Sequence, residues 1–245
     1  MIKEIPYISI DGAPGVDQDT YPDLLMRVGG CAATVACESL LFFEMRGLLP
    51  PLRPFAEQKL TRETYLSFLM EMKPHLHPRL TGVDTVGKYL EGFTSYLKAH
   101  GITEADAAWS ALFPLRTIPG ETDLAEAKRS LMEQLDRDIP VPDLTLLHED
   151  RAFEDYGWHW FMLTGYADGE DAARKIRFNP SDEPGVAREE DALQNGHLFV
   201  RAATYGEFCW LDFDRLWQTG QARRGALLLY SGGSRQSRKA EGDER

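Results

Sequence analysis

Cys31 to Met45 reads as a helix with no continuous polar face. Ala33, Val35, Ala36, Leu40, Phe42 and Phe43 spread around most of its circumference. A helix of that kind is stable only when neighbours cover it on nearly every side. The run therefore predicts a central helix with the rest of the chain wrapped around it. Gly47 and the Pro50-Pro51 pair end it, because neither continues a helix.

The segments on either side differ in character. Ile5 to Ile10 reads as a short strand, and Asp11 to Pro22, rich in Gly, Pro and Asp, as a loop. From Arg53 to Gln134 the pattern is helical. Tyr65, Phe68, Leu69 and Met72 share one face after Thr61-Arg62-Glu63-Thr64, and Val86, Tyr89, Leu90, Phe93 and Leu97 share another within Val83 to His100. Thr122 to Leu135 is a further helix. Beyond Pro140 the runs become strand-like: Leu144–Leu147, Trp158–Tyr166, Lys175–Phe178, Leu198–Ala202 and Ala226–Tyr230, with a short helix over Leu211–Trp217. Helices first and an antiparallel sheet second define an α+β class. The expected organisation is one domain over 1–230 with a helical insert at about 53–134, and a flexible tail over 231–245.

Composition narrows the partners. Net charge is 27 − 39 = −12, which repels phosphate backbones and anionic lipid, so neither nucleic acid nor membrane is an expected partner. No run reaches the ~18 apolar residues of a spanning helix. Three cysteines, Cys31, Cys37 and Cys209, do not make a disulfide framework. The expectation is a soluble, cytoplasmic protein with reduced thiols. Nothing in the sequence sets its oligomeric state.

Cys31 is the chemical centre of this reading. A helix N-terminus carries about half a positive charge and free N–H groups. Both favour the thiolate, the nucleophilic form of a cysteine, and the same N–H groups can stabilise an oxyanion. Gly29 and Gly30 allow a tight turn and close approach by a substrate. The competing reading is a small cysteine packed in a core helix, which is the reading given to Cys37 and Cys209. His159, at the mouth of an aromatic strand, is the candidate general base; alternatively it is packed among aromatics. Asn179, at the end of the next run, can fix the imidazole tautomer, or is an Asn-Pro turn. Trp158, Trp160 and Tyr156 are candidate cleft walls. His75 and His77 lack partners at zinc spacing, so neither metal nor cofactor is expected.

In this order the segments resemble the papain-like cysteine peptidases, closest to their C39-like branch. The resemblance rests on Pro6-Tyr7-Ile8-Ser9, Gly30-Cys31, Ile139-Pro140-Val141, the His159–Tyr166 segment with its Thr164-Gly165-Tyr166 end, Asn179-Pro180, and Phe213 and Trp217 before the last strand. It spans about Ile5 to Tyr230, interrupted over Arg53 to Gln134. It implies a papain-like fold, with Cys31 as nucleophile, His159 as base and Asn179 as orienter, cleaving a peptide or amide bond through an acyl-enzyme. Two positions depart from the family pattern. Ala32-Ala33-Thr34 follows the cysteine without a proline. Ile10 stands where a glutamine oxyanion donor is expected, which leaves Gln18 in the following loop as the candidate substitute. Two alternatives stay open: acyl transfer to an amine by the same dyad, and an inactive binding protein on the same fold.

Overall fold

A computed structural model describes residues 1–52, 59–78, 82–168, 171–172, 196–218 and 224–232. The described chain is a mixture of helices and one antiparallel sheet. Its centre is α2 (Cys31–Met45), which buries twelve of its fifteen residues, as its uniformly apolar surface requires. The helix packs on the longest strand, β4 (His159–Asp168), and on α3 (Arg62–Met72).

The helices start where side chains satisfy free backbone N–H groups. Asp23 caps α1 (Leu24–Gly29), Thr61 caps α3 in a reciprocal bond pair with Thr64, and Thr85 caps α4 (Val86–Ala99). Asp123 caps α6 (Leu124–Asp136). The short α5 (Ala107–Leu112) completes the first half of the chain, and α7 (Phe213–Gln218) follows the sheet's last hairpin.

The seven-stranded sheet runs β2 (Arg116–Pro119), β7 (Ala226–Leu229), β3 (Val141–Thr145), β4, β5 (Leu198–Thr204), β6 (Glu207–Asp212). β1 (Ile2–Glu4) pairs with the far end of β4, Ile2 opposite Ala167. Thr145 lies opposite His159 in the β3–β4 register.

The helix expected over Cys31–Met45 is present, and those expected from Thr61, over Val83–His100 and over Thr122–Leu135 lie at Arg62–Met72, Val86–Ala99 and Leu124–Asp136; several strands differ from expectation. The first strand is Ile2–Glu4, not Ile5–Ile10. Pro6 cannot donate to a ladder, and Ile5, Ile8 and Ile10 are buried as separate core anchors instead. The expected Leu144–Leu147 strand lies upstream at Val141–Thr145. It tolerates Pro142 because β7 pairs with β3 only at Asp143 and Leu144. Arg116–Pro119, inside the segment read as helical, is an edge strand of the main sheet. Glu207–Asp212 is a strand that the sequence reading overlooked. The Lys175–Phe178 strand and all but the first two residues of the 231–245 tail lie outside the described residues. Ser231 and Gly232 are held, the hydroxyl of Ser231 donating to the Ser110 and Phe113 carbonyls.

Arg201 clamps β1 to the sheet. Its guanidinium donates to Glu4 Oε2 at 2.6 Å, the Ile5 carbonyl at 2.8 Å, and Thr164 Oγ1 at 2.9 Å. It also lies over the Phe208 ring, 4.3 Å from its centroid. Arg201→Met removes every one of these bonds while keeping an unbranched apolar stem. The expected cost is about 2–4 kcal/mol, from buried acceptors left without donors. Urea unfolding reads this as a lower midpoint at unchanged slope. A midpoint equal to wild type would show that the clamp contributes nothing net.

Candidate active site

Gly30 closes α1 and opens α2 at once. Its N–H donates to the Met26 carbonyl at 2.9 Å, and its own carbonyl accepts from Thr34 N–H at 3.0 Å. Its φ is −87°, so no left-handed turn is involved. The glycine is needed for a close approach: a Cβ there would stand 2.4 Å from the Met26 carbonyl oxygen. This join sets Cys31 as the first residue of α2 and points it at β4.

On the facing strand, the residue before His159 sets the angle. Trp158 adopts φ +57°, unusual for a bulky side chain, and its N–H donates to the Leu146 carbonyl. The chain enters β4 abruptly, with His159 at its mouth.

Cys31, His159, Gln18, Thr34, Glu38, Thr204 and Tyr205 line one small cavity of about 20 Å³, room for about one water. Cys31 is 3% exposed. Burial raises its thiol pKa, while the backbone amides of Trp160, Ala32 and Cys31 itself pull the other way. The expectation of a thiolate favoured by the helix end is corrected on this point. Desolvation outweighs the amides, so the resting group is a thiol. Burial likewise pushes the His159 imidazole down to about 4. Both partners are neutral at pH 7, and no hydrogen bond joins them. The three amides around the sulfur remain the natural donors to an oxyanion formed there.

His159 is positioned by two groups that the sequence reading missed. Thr204 Oγ1 lies within hydrogen-bond distance of Nε2, at 2.9 Å, and holds the ring's orientation. Tyr205 stacks on the ring at 4.8 Å with an interplanar angle of 1°. The signal for both was the Thr204-Tyr205-Gly206-Glu207 turn. Tyr205 at φ +49° and Gly206 at φ +76° form the tight turn of the β5–β6 hairpin, a type favoured by right-handed strand twist.

The other candidates distribute differently. Gln18 reaches the cavity, but its side-chain amide donates to the Arg27 carbonyl at 2.7 Å. Trp160 backs the cavity while its indole N–H donates to the Val83 carbonyl at 2.6 Å, on the α4 side. Tyr156 is not a cleft wall: it is buried, its hydroxyl 3.3 Å from Cys209 Sγ. Trp158 is half-exposed beside the site rather than lining it. Gly29 is the last residue of α1. Asn179 lies outside the described residues. His75 Nδ1 lies 2.9 Å from Ser95 Oγ on α4. His197, Asp212 and Asp214 group within 4.8 Å, but Lys128 already neutralises Asp214 at 2.5 Å.

No family model matches the chain, and neither a curated protein nor a solved structure matches it.

Proposed function

We propose that the protein is a thiol-dependent acyl hydrolase of the papain-like type, C39-like in character, acting on a peptide or amide bond. The observation that carries this reading is the meeting of Cys31 and His159 in one cavity, each the first residue of its element. In the proposed cycle Cys31 Sγ attacks the substrate carbonyl as its proton passes to His159. The amides of Cys31, Ala32 and Trp160 hold the oxyanion. Protonated His159 then gives its proton to the leaving amine, and water attacks the acyl-enzyme with His159 as base. Thr204 positions the imidazole from the β5–β6 hairpin; Asn179, expected as the orienter, lies outside the described residues.

A second reading, a non-catalytic binding protein on the same fold, draws on the deep burial of the sulfur and the missing thiol–imidazole bond. Iodoacetamide labelling at pH 7 with peptide mapping separates the two. Under the hydrolase reading Cys31 is modified ahead of the buried Cys37 and Cys209, and His159→Ala slows it at least about tenfold, since a neutral thiol needs a proton acceptor. Equal labelling of all three cysteines, with no response to His159→Ala, would favour the binding protein.

A further inference from the structure

Two turns along α2 from Cys31, on the face that lines the cavity, stands Glu38. Cys31, Thr34, Val35 and Glu38 follow helical spacing and all reach the same space. Glu38 is 4% exposed. Its carboxylate accepts hydrogen bonds from Tyr7 at 2.7 Å and Tyr65 at 3.3 Å. The loop before α1 closes over it at Gly15, where a Cβ would stand 2.6 Å from Oε1.

No lysine or arginine lines this cavity, and Glu38 forms no ion pair among the described residues. A carboxyl buried without a cation is expensive, and two tyrosine hydroxyls do not supply a charge. What a carboxyl adds, beside a nucleophile and in a space without another charge, is discrimination by sign.

We propose that Glu38 is the specificity-determining residue of the Cys31 site, selecting substrates that carry a primary ammonium group beyond the reacting carbonyl. This rests on the reading of Cys31 as the nucleophile. The helix rise places residues 31 and 38 about 10 Å apart along the axis, and a glutamate side chain leans back toward the helix start, shortening the gap. Burial keeps the Glu38 carboxyl protonated in the empty site; an entering ammonium group favours its ionisation and meets that counter-charge away from water, where the attraction far exceeds its value in solvent. An anionic group finds no such partner there.

The test uses the full chain and three thiol reagents of similar length and different charge: aminoethyl, propyl and sulfonatoethyl methanethiosulfonate. Each forms a disulfide with Cys31 and releases methanesulfinate. Rates are followed by mass spectrometry of the Cys31 peptide, in about 0.5 M salt so that the surface field of the acidic chain is screened. The expected order is cationic over neutral over anionic, with about tenfold between the first two, and Glu38→Gln brings the cationic and neutral rates together. A wild-type ratio at or below one overturns the proposal without any variant, so a Glu38→Gln protein that fails to fold leaves it falsifiable. A ratio unchanged in Glu38→Gln also overturns it. Cys31 labelled with no charge preference sinks the specificity alone. Cys31 inert to all three reagents sinks the hydrolase reading with it.

Discussion

Glu38→Gln is expected to leave stability near wild type at pH 4.5 and to exceed it by about 4 kcal/mol at pH 8.5. Burial pushes the Glu38 carboxyl from its ordinary 4.5 up to about 8, against the hydrogen bonds from Tyr7 and Tyr65. Its folded form therefore holds a proton that the unfolded chain has already released above pH 4.5. A folded pKa raised above the unfolded value gives stability that is complete below the unfolded pKa and is lost as pH rises through the folded one. The window of loss runs from 4.5 to 8. Asp143, pushed from 3.8 to about 7 by burial on β3, acts in the same direction between those values. His159 acts oppositely: its pKa is lowered from 6.5 to about 4, so the unfolded state binds the extra proton, and stability rises with pH across 4 to 6.5. Both of these contributions are common to wild type and variant and cancel in the difference between them. Urea melts of the two proteins at pH 4.5, 6.5 and 8.5 isolate Glu38. A difference that stays flat with pH would mean that the carboxyl is solvated and ionised in the native protein, and the sign-selective site would lose its physical basis.

Much of the fold was legible because helices carry local signals. Thr61 and the apolar spacing behind it gave the start of the 62–72 helix, the helix expected from Val83 begins three residues later at Val86, and the 31–45 helix was readable from its lack of a polar face. The strands were harder, for two reasons. Arg116–Pro119 is an edge strand whose partner, Ala226–Leu229, lies over a hundred residues away, and short edge strands carry little periodicity. Glu207–Asp212 begins with two exposed residues before its buried ones, so its alternation is weak. Residue type and position singled out Cys31 and His159, which the structure brings into one cavity. They could not show Thr204 or Tyr205, because what matters there is a hairpin turn that folds two residues onto the imidazole. Nor could they show that burial overrides the helix end at the thiol. Sequence gives the position of a group on its element, while desolvation depends on everything packed above it. Glu38 was not singled out in the sequence, and only the cavity it shares with Cys31 draws attention to it.

Tyr205→Ala is expected to speed iodoacetamide modification of Cys31 on the order of a hundredfold, an effect of about 3 kcal/mol on access to the sulfur. In the described structure the tyrosine ring lies flat on His159, and its hydroxyl donates to the Asp155 carbonyl at 3.2 Å. Beside it, Gly206 sits so close to the Val16–Asp17 backbone that a Cβ would stand 3.0 Å from Asp17 N. The hairpin tip and the loop before α1 thus meet over the thiol, and the space left beneath holds about one water. A reagent reaches Cys31 only when this cover lifts. Tyr205 occupies a left-handed conformation that costs a bulky residue on the order of 1 kcal/mol, so the closed turn is maintained by the stack and by the bond to Asp155. Alanine removes both and leaves the backbone turn. Thr204 still bonds the imidazole, so the ring stays anchored while the cover is gone. Tyr205→Phe separates the two contributions: it keeps the stack, loses the hydroxyl bond, and is expected to fall between wild type and alanine. If alanine leaves the rate unchanged while His159→Ala lowers it, the sulfur is reached by another route and Tyr205 serves only to orient the imidazole. If alanine slows the reaction, the ring is part of the machinery that activates His159, and the cover lies elsewhere in the 16–17 loop.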